Sequence, residues 1–317
     1  MKINQILKSK ILIMAAIAVT LLFINCSKKT ETETNHDAKP QETKGINDLK
    51  KETGYATVNG VKMYYEICGE GEPLVLLHGS YMTIPLNWNK LIPEFAKNRK
   101  VIAVELQGHG RTVDIDRPIT YENMADDVAA LLDYLKIEKA DVLGYSMGGG
   151  VALQTAIRHP EKINKVVNIS GSAKYDGWVK EVLDIFPVIS AEMFKDTPIK
   201  KQYDSLSPTP EHFHEFVKKV IASDLKPYNW TEQLKNTKAP VFTIIGDADG
   251  VVLEHATEMY RLKGGGKMGD MSGLEESRLA ILPGSTHQSI IERTKWITEM
   301  VNEFLDFKPE ISPDVQH

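Results

Sequence analysis

The residues best suited to chemistry are a serine set between closely spaced glycines, in Gly144–Gly148. This segment reads G-Y-S-M-G, the G-x-S-x-G pattern in which a serine occupies a sharp turn. Ala140–Leu143 before it is typical of a short buried strand, and Gly149–Arg158 after it carries apolar residues at helical spacing. A strand that turns directly into a helix lifts the hydroxyl of Ser146 above the sheet edge. The free N–H groups at the start of the helix then face any developing oxyanion. The pattern predicts a nucleophilic serine.

A serine hydroxyl is a weak nucleophile at neutral pH and needs a base within hydrogen-bonding distance. His287 directly follows the last predicted strand, and Asp247 and Asp249 follow another strand in the segment I-I-G-D-A-D-G. We expect Ser146 to attack, His287 to carry the proton, and one of the two acids to orient the imidazole ring. Spacing alone does not decide between two acids so close together.

The other histidines have simpler interpretations. His78 and His109 precede the serine in loops, where hydrogen-bonded loop packing is expected. His212 and His214 are expected on a solvated helix face, and His255 at the start of a surface helix. No group of His, Cys and Glu has metal-ligand spacing, so neither a metal nor a cofactor is predicted.

The elements that must position these residues alternate between strands and helices. A hairpin is predicted around Asn59-Gly60, and a helix is predicted from the cap residue Thr120. The predicted strands are 55–58, 61–67, 74–77, 101–105, 140–143, 165–170, 241–246 and 278–282, and further helices are predicted at 88–97, 149–158 and 288–307. Such alternation predicts an α/β fold, a mainly parallel sheet with helices on both faces and a site at the carboxyl ends of the strands.

From about Gly54 to Phe307 the chain resembles an α/β-hydrolase fold enzyme of the serine esterase type. His78-Gly79 resembles the family's oxyanion-loop motif, and Gly108–Thr112 its G-H-G-x-S/T loop. Glu105 stands where many members have Asp, and a structural role is expected for it. A serine nucleophile disfavours the epoxide hydrolase and haloalkane dehalogenase branches. The missing G-G-S-W-G elbow disfavours the proline iminopeptidases.

The resemblance also implies roles for individual residues. The family's G-D-x-D segment corresponds to Asp247 and Asp249, which implies that Asp249 orients His287 while Asp247 shapes the turn. The oxyanion would be held by the backbone N–H groups of Ser80 and Met147.

A segment at residues 172–238 is longer than a simple crossover between strands needs. Apolar residues recur at helical spacing around Val179 and again around Phe213, which predicts a helical cap over the site. Tyr81, Trp178 and Phe186 are expected to line an apolar acyl or ring pocket. The alternative is that the aromatic residues of the cap only pack it against the main domain.

The N-terminal region resembles a bacterial lipoprotein leader. Lysines precede Ile11–Ile24, a run of fourteen residues without charge, and a polar tract follows Cys26. Asn25 departs from the small residue that usually precedes the lipidated cysteine, and an uncleaved anchor is the alternative. The predicted organisation is a signal peptide at 1–25, a tether at 26–52, a hydrolase core at 53–171 and 239–308, the cap at 172–238 and a tail at 309–317. The resemblance implies an exported protein attached to a membrane through Cys26.

Composition limits the class of function. A formal net charge of −5 gives no reason to expect a nucleic-acid partner, and two cysteines do not form a disulfide framework. Gly264–Asp270 lacks the spacing of a phosphate-binding loop and is interpreted as a surface loop. The sequence favours a membrane-tethered serine hydrolase of small carboxylic esters, thioesters or lactones. A serine-dependent hydrolase of carbon–carbon bonds and a non-catalytic ligand-binding lipoprotein are the alternatives.

Overall fold

The computed structural model describes residues 50–308; the predicted signal peptide, Cys26 and the C-terminal tail lie outside this part of the chain. An eight-stranded sheet with the order β1-β2-β4-β3-β5-β6-β7-β8 runs through its centre. The strands are β1 Lys51–Val58, β2 Val61–Cys68, β3 Glu72–Leu77, β4 Arg99–Glu105, β5 Ala140–Tyr145, β6 Ile163–Ile169, β7 Val241–Ala248 and β8 Arg278–Thr286. β2 is antiparallel to both β1 and β4, and all other neighbouring pairs are parallel. This is the predicted mainly parallel sheet.

Helices cover both faces of the sheet. They are α1 Ile84–Trp88, α2 Ile92–Phe95, α3 Tyr121–Tyr134, α4 Met147–Arg158, α5 Lys180–Ile185, α6 Pro198–Leu206, α7 Phe213–Asp224, α8 Thr231–Asn236, α9 Leu253–Leu262, α10 Gly269–Ser272 and α11 Thr294–Asp306. Short 3₁₀ turns connect several of them. Within residues 50–308 every helix is too short or too polar to serve as a transmembrane span.

The central strand β5 explains why two cores form. All six of its residues are buried, and alternate side chains point to opposite faces. Val142 packs in one cluster with residues of α3 and α4, whereas Leu143 packs in a second cluster with residues of α1 and α11. Burial on both faces requires the continuous apolar strands that the sequence shows.

Several predicted boundaries were wrong. The helix predicted at 88–97 is two short helices, because Pro85 and Pro93 each start a separate first turn. The helix predicted at 288–307 is a 3₁₀ turn at Ser289–Glu292 followed by α11, since Arg293 has the non-helical backbone angles φ −77° and ψ 45°. β1 begins at Lys51, inside the segment predicted as a tether, because that residue pairs with Cys68 of β2.

The segment 172–238 forms a cap built from α5, α6, α7 and α8. The apolar face of α7 is buried through four residues at helical spacing, Phe213, Phe216, Val217 and Val220. The aromatic rings of Tyr203 and Phe216 stack at 5.2 Å between centroids, and Tyr81 of the core contacts Phe194 of the cap at 4.7 Å. These contacts hold the cap over the carboxyl ends of the strands.

Candidate active site

The turn between β5 and α4 presents Ser146 in a strained conformation, with φ 54° and ψ −118°. A Cβ atom on Gly144 would lie 2.0 Å from the carbonyl oxygen of Gly148. One on Gly148 would lie 2.1 Å from the carbonyl oxygen of Leu77. Both positions therefore require glycine, and the backbone strain is stored where the reactive hydroxyl is needed.

Ser146, His287 and Asp249 form a continuous hydrogen-bonded chain. His287 Nε2 lies 2.9 Å from Ser146 Oγ, and His287 Nδ1 lies 2.7 Å from Asp249 Oδ1. The parallel register makes this possible: these residues follow β5, β8 and β7, whose carboxyl ends meet at one edge of the sheet. A nucleophile, a base and a group that orients the base are thus in contact.

The surroundings of Asp249 keep its carboxyl group ionised. The Asp249 side chain is fully buried, and Oδ2 accepts hydrogen bonds from the Ser170 hydroxyl at 2.5 Å and from the Gly246 amide at 3.1 Å. Burial opposes ionisation, but the hydrogen bond and charge of His287, together with the Ser170 and Gly246 bonds, lower the pKa of Asp249 below its usual value. An anion beside Nδ1 stabilises the imidazolium form of His287.

The second candidate acid, Asp247, does not contact His287. Its exposed carboxylate accepts hydrogen bonds from the amides of Gly284 at 3.0 Å and Ser285 at 3.1 Å. These bonds lower the pKa of Asp247. Since Gly284 and Ser285 immediately precede the loop that carries His287, Asp247 fixes the course of that loop.

Two residues that contact this hydrogen-bonded triad were not predicted from the sequence. Tyr145 donates its hydroxyl to the backbone carbonyl of His287 at 2.7 Å, and Ser170 donates to Asp249. Tyr145 is the variable residue before Ser146 and Ser170 directly follows β6, so position in the motif and at a strand end were the available signals.

The two amides predicted to hold the oxyanion belong to residues that line the same cavity as Ser146. Met147 is the first residue of α4, where a backbone N–H group has no acceptor within its own helix. Ser80 lies in the loop after β3, and the amides of Gly79 and Tyr81 on either side of it donate elsewhere. A substrate carbonyl beside Ser146 can therefore accept from Ser80 and Met147.

His78 and His109 hold that loop in place. Each donates its Nδ1–H group to a nearby backbone carbonyl at 2.9 Å, and their Nε2 atoms accept from the amides of Leu106 and Tyr81. Burial lowers the pKa of His78 to about 4, and burial together with His78 lowers that of His109 well below its usual value. Both rings are neutral and structural at neutral pH.

Two further predicted positions have structural surroundings. Glu105 is fully buried and accepts from the amide of Arg111 at 2.6 Å and from its guanidinium at 2.9 Å, which shapes the glycine-rich loop 108–112. His255 was wrongly predicted to lie at the surface. It is 2% exposed, accepts from the Ala173 amide at 3.1 Å and contacts Glu258 at 2.8 Å, because it packs beneath the first segment of the cap.

A cavity of about 320 Å³ opens above Ser146 and His287. The three predicted pocket residues, Tyr81, Trp178 and Phe186, all line it. Its cap wall is apolar and comprises Trp178, Val182, Ile185, Phe186, Met193 and Phe194. The polar exception from the cap is Asp224, and within the described chain no lysine or arginine lines the cavity. Residues 50–308 also contain no group of three or more His, Cys, Asp or Glu side chains placed to hold a metal ion.

Comparison with known proteins agrees with this architecture. A family model described as the alpha/beta hydrolase fold matches residues 72–198. The 2-hydroxymuconate semialdehyde hydrolase of Pseudomonas sp. (strain CF600) is 39% identical over 128 residues, which are 39% of this chain and 45% of that protein. The chain thus spans less than half of this relative's length. The 2-hydroxy-6-oxo-2,4-heptadienoate hydrolase of Pseudomonas putida is 26% identical over 78% of this chain and 93% of that protein.

Solved structures share the fold at lower identity. The meta-cleavage product hydrolase of Pseudomonas fluorescens IP01 superposes with a TM-score of 0.62 at 22% identity, covering 81% of this chain and 97% of that one. The enol-lactonase of Burkholderia xenovorans LB400 has a TM-score of 0.61 at 23% identity, covering 79% of this chain and 99% of that one. The chain has the α/β-hydrolase fold.

Proposed function

We propose that the protein is a serine hydrolase that cleaves carboxylic esters, including thioesters and lactones, through an acyl-enzyme. The observation that carries the proposal is the chain Ser146–His287–Asp249 at the floor of an apolar cavity. A protein that only binds a ligand has no need for all three groups in contact, beside two backbone amides placed for an oxyanion.

The geometry supports a two-stage reaction. Ser146 Oγ attacks the carbonyl carbon while its proton passes to His287 Nε2, and the carbonyl oxygen becomes an oxyanion held by the Ser80 and Met147 amides. The C–O bond to the leaving alcohol then breaks, and the alcohol takes the proton from His287. Water attacks the acyl-enzyme with the same base, and Ser146 regains its proton as the acid leaves.

The lining of the cavity favours an acyl group that is largely apolar and carries no negative charge. Apolar side chains supply most of its wall, and each buried methylene of a substrate contributes about 0.8 kcal/mol of binding free energy. An anionic acyl group would lose its hydration without gaining a lysine or arginine partner. It would also lie in one cavity with the carboxyl group of Asp224.

A carbon–carbon bond hydrolase is the second candidate. The names of two relatives, a 2-hydroxymuconate semialdehyde hydrolase and a 2-hydroxy-6-oxo-2,4-heptadienoate hydrolase, favour it. The same three groups, Ser146, His287 and Asp249, can serve that reaction. A dienoate, however, carries a carboxylate, for which the described cavity lining offers no cationic side chain. The chemistry of the cavity therefore favours the ester.

Two measurements test the proposal. A fluorophosphonate probe should label the wild-type protein and leave Ser146→Ala unlabelled. Initial rates should then be compared for p-nitrophenyl esters of increasing chain length and for 2-hydroxy-6-oxo-2,4-heptadienoate. Faster turnover of the dienoate than of every ester would replace the first candidate by the second. A labelled protein should hydrolyse at least one of these compounds; no labelling and no turnover would leave a binding protein.

We also propose that the protein is exported and held at a membrane by a lipid on Cys26, facing the periplasm or the cell exterior. The support is in the sequence: lysines, a short apolar run, a cysteine and a polar tract. Intact-mass analysis of the membrane-extracted protein tests this. Chains that retain residues 1–25, or an unmodified Cys26, would contradict it.

A further inference from the structure

Asp224 is the one acidic residue that the cap contributes to the cavity lining, and three features of its position are unfavourable for a carboxyl group. It is 9% exposed, no hydrogen bond to it is formed within residues 50–308, and burial alone raises its pKa to about 7. It is also the last residue of α7, where the negative end of the helix dipole repels an anion. Nothing in the described chain offsets these costs.

The side chain of Tyr81 lies in the wall of the same cavity. Its hydroxyl oxygen is buried without a hydrogen-bond partner, and the Asp224 carboxyl group is close enough to help burial raise the pKa of Tyr81. The Tyr81 backbone is left-handed, with φ 63°, a costly conformation for a bulky residue. The hydrogen bond from its amide to His109 Nε2 holds it there. Strain of this kind persists where a side chain must be aimed at a particular place.

These observations concern one cavity. Tyr81 and Asp224 line the same 320 Å³ space as Ser146 and His287, and otherwise its cap wall is apolar. The result is an apolar chamber with the reacting hydroxyl at its floor and an unpaired acceptor in its wall. A buried carboxyl group without a partner is completed best by a ligand that brings both donors and positive charge.

Building on the proposed function, we propose that Asp224 and the hydroxyl of Tyr81 form a specificity subsite for a protonated amine carried by the acyl chain of the ester. The ammonium group would donate to the Asp224 carboxylate, and the Tyr81 oxygen would accept a second hydrogen bond. Methylenes between the amine and the scissile carbonyl would lie against Phe186, Met193 and the neighbouring apolar side chains. The substrate class is therefore an ω-amino acyl ester rather than a simple fatty acyl ester.

The test compares two esters of equal length, p-nitrophenyl 6-aminohexanoate and p-nitrophenyl heptanoate, which differ by an ammonium in place of a methyl group. Wild type should hydrolyse the amino ester with a kcat/KM at least equal to that of the heptanoate. Asp224→Asn should lower kcat/KM for the amino ester by about 10- to 100-fold, and the value for the heptanoate should not fall. Tyr81→Phe removes only a hydroxyl group and should cost the amino ester about threefold to tenfold.

A binding measurement separates recognition from catalysis. Hexylammonium should inhibit hydrolysis of the heptanoate competitively, with an inhibition constant at least about tenfold higher in Asp224→Asn. Asp184→Asn, which changes an exposed carboxyl group of the same cap, is the matched control. It should change neither the ratio of kcat/KM between the two esters nor the inhibition constant of hexylammonium.

The subsite is overturned if wild type and Asp224→Asn discriminate equally between the two esters, or if hexylammonium inhibits both to the same extent. That result, with the heptanoate still hydrolysed, leaves the esterase proposal standing. Failure of wild type to hydrolyse either ester, with no fluorophosphonate labelling, instead overturns the esterase proposal and the subsite with it.

Discussion

Asp224→Asn should stabilise the protein at neutral pH, because it removes a buried carboxyl group that has no partner. The substitution keeps the size of the side chain and leaves it neutral at every pH. The charge of Asp224 acts on three tyrosines, Tyr81, Tyr121 and Tyr228. Their pKa values are raised above that of free tyrosine, so they stay neutral below about pH 9. They do not titrate in the range where Asp224 does.

The magnitude follows from the pKa of Asp224. Burial raises it from 3.8 to about 7, and each unit corresponds to about 1.36 kcal/mol. The folded state therefore retains a proton that the unfolded state has released, so the free energy of unfolding falls as pH rises through this window. The loss begins near pH 4, is complete above about pH 7, and reaches at most about 4 kcal/mol. Asp224→Asn should be free of it.

Urea denaturation of both proteins from about pH 4.5 to about pH 8 measures this difference. The free energy of unfolding of the variant minus that of the wild type isolates the contribution of Asp224, since both proteins share every other ionisable group. We expect the variant to gain stability as pH rises, by about 1 kcal/mol or more at the upper end. Asp184→Asn, which removes an exposed charge paired with Lys180, should change stability by less than about 1 kcal/mol. If the difference in the free energy of unfolding between Asp224→Asn and wild type stayed constant across this pH range, the inference that Asp224 is a buried, unpaired carboxyl group would be refuted.

Three further predictions concern the active site and the anchor. Asp249→Asn should lower kcat by about four orders of magnitude, a milder loss than that of Ser146→Ala, whereas Asp247→Asn should act mainly through the melting temperature; near-wild-type kcat in the Asp249 variant would reverse the assignment. Phe186→Ala should flatten the rise of kcat/KM with acyl chain length, and an unchanged chain-length profile would make this side chain cap packing alone. Cys26→Ser should release active protein from the membrane fraction, and continued retention there would contradict lipid anchoring.

The sequence predicted the fold well where short motifs dictate the backbone. Gly144 and Gly148 are required by contacts near 2 Å, so the turn around Ser146 could be read from five residues. The choice between Asp247 and Asp249 rested on resemblance to a family. Only Ala248 separates these acids, but the strand end turns one toward His287 and the other toward the amides of Gly284 and Ser285.

The sequence was least informative where tertiary packing decides the environment. His255 was expected at the surface of a helix, but the first segment of the cap covers it, and a Cβ atom on Gly177 would lie 2.4 Å from its ring. Asp224 follows an apolar helical pattern as an ordinary polar residue. Asp224 is buried because α7 packs over the cavity, and no local pattern of residues predicts that packing.

The cap and the reacting groups are joined at one place. The amide of Val179 donates to the Gly250 carbonyl at 2.9 Å, and the amide of Val252 donates to the Gly177 carbonyl at 2.9 Å. Trp178 lies between these two bonds, and its ring contacts that of His287 at 5.7 Å between centroids. A displacement of the cap at this point therefore moves the turn that carries Asp249 as well as the wall of the cavity.

This connection decides which substitutions can separate selectivity from turnover. Asp224 lines the cavity from the end of α7, outside the segment 177–179 that forms the joint, so changes there should alter the ranking of substrates while kcat for the heptanoate is retained. Phe186 packs against the Trp178 ring at 6.3 Å between centroids, so its variants need kcat measured beside the chain-length profile. Truncation of Trp178 removes cavity wall and the packing of the His287 ring together, so KM and kcat should change in the same variant. Substrate profiles of Trp178 variants consequently report on the positioning of the base as much as on the pocket, and the assignment of specificity rests on Asp224, where selectivity and turnover can be separated.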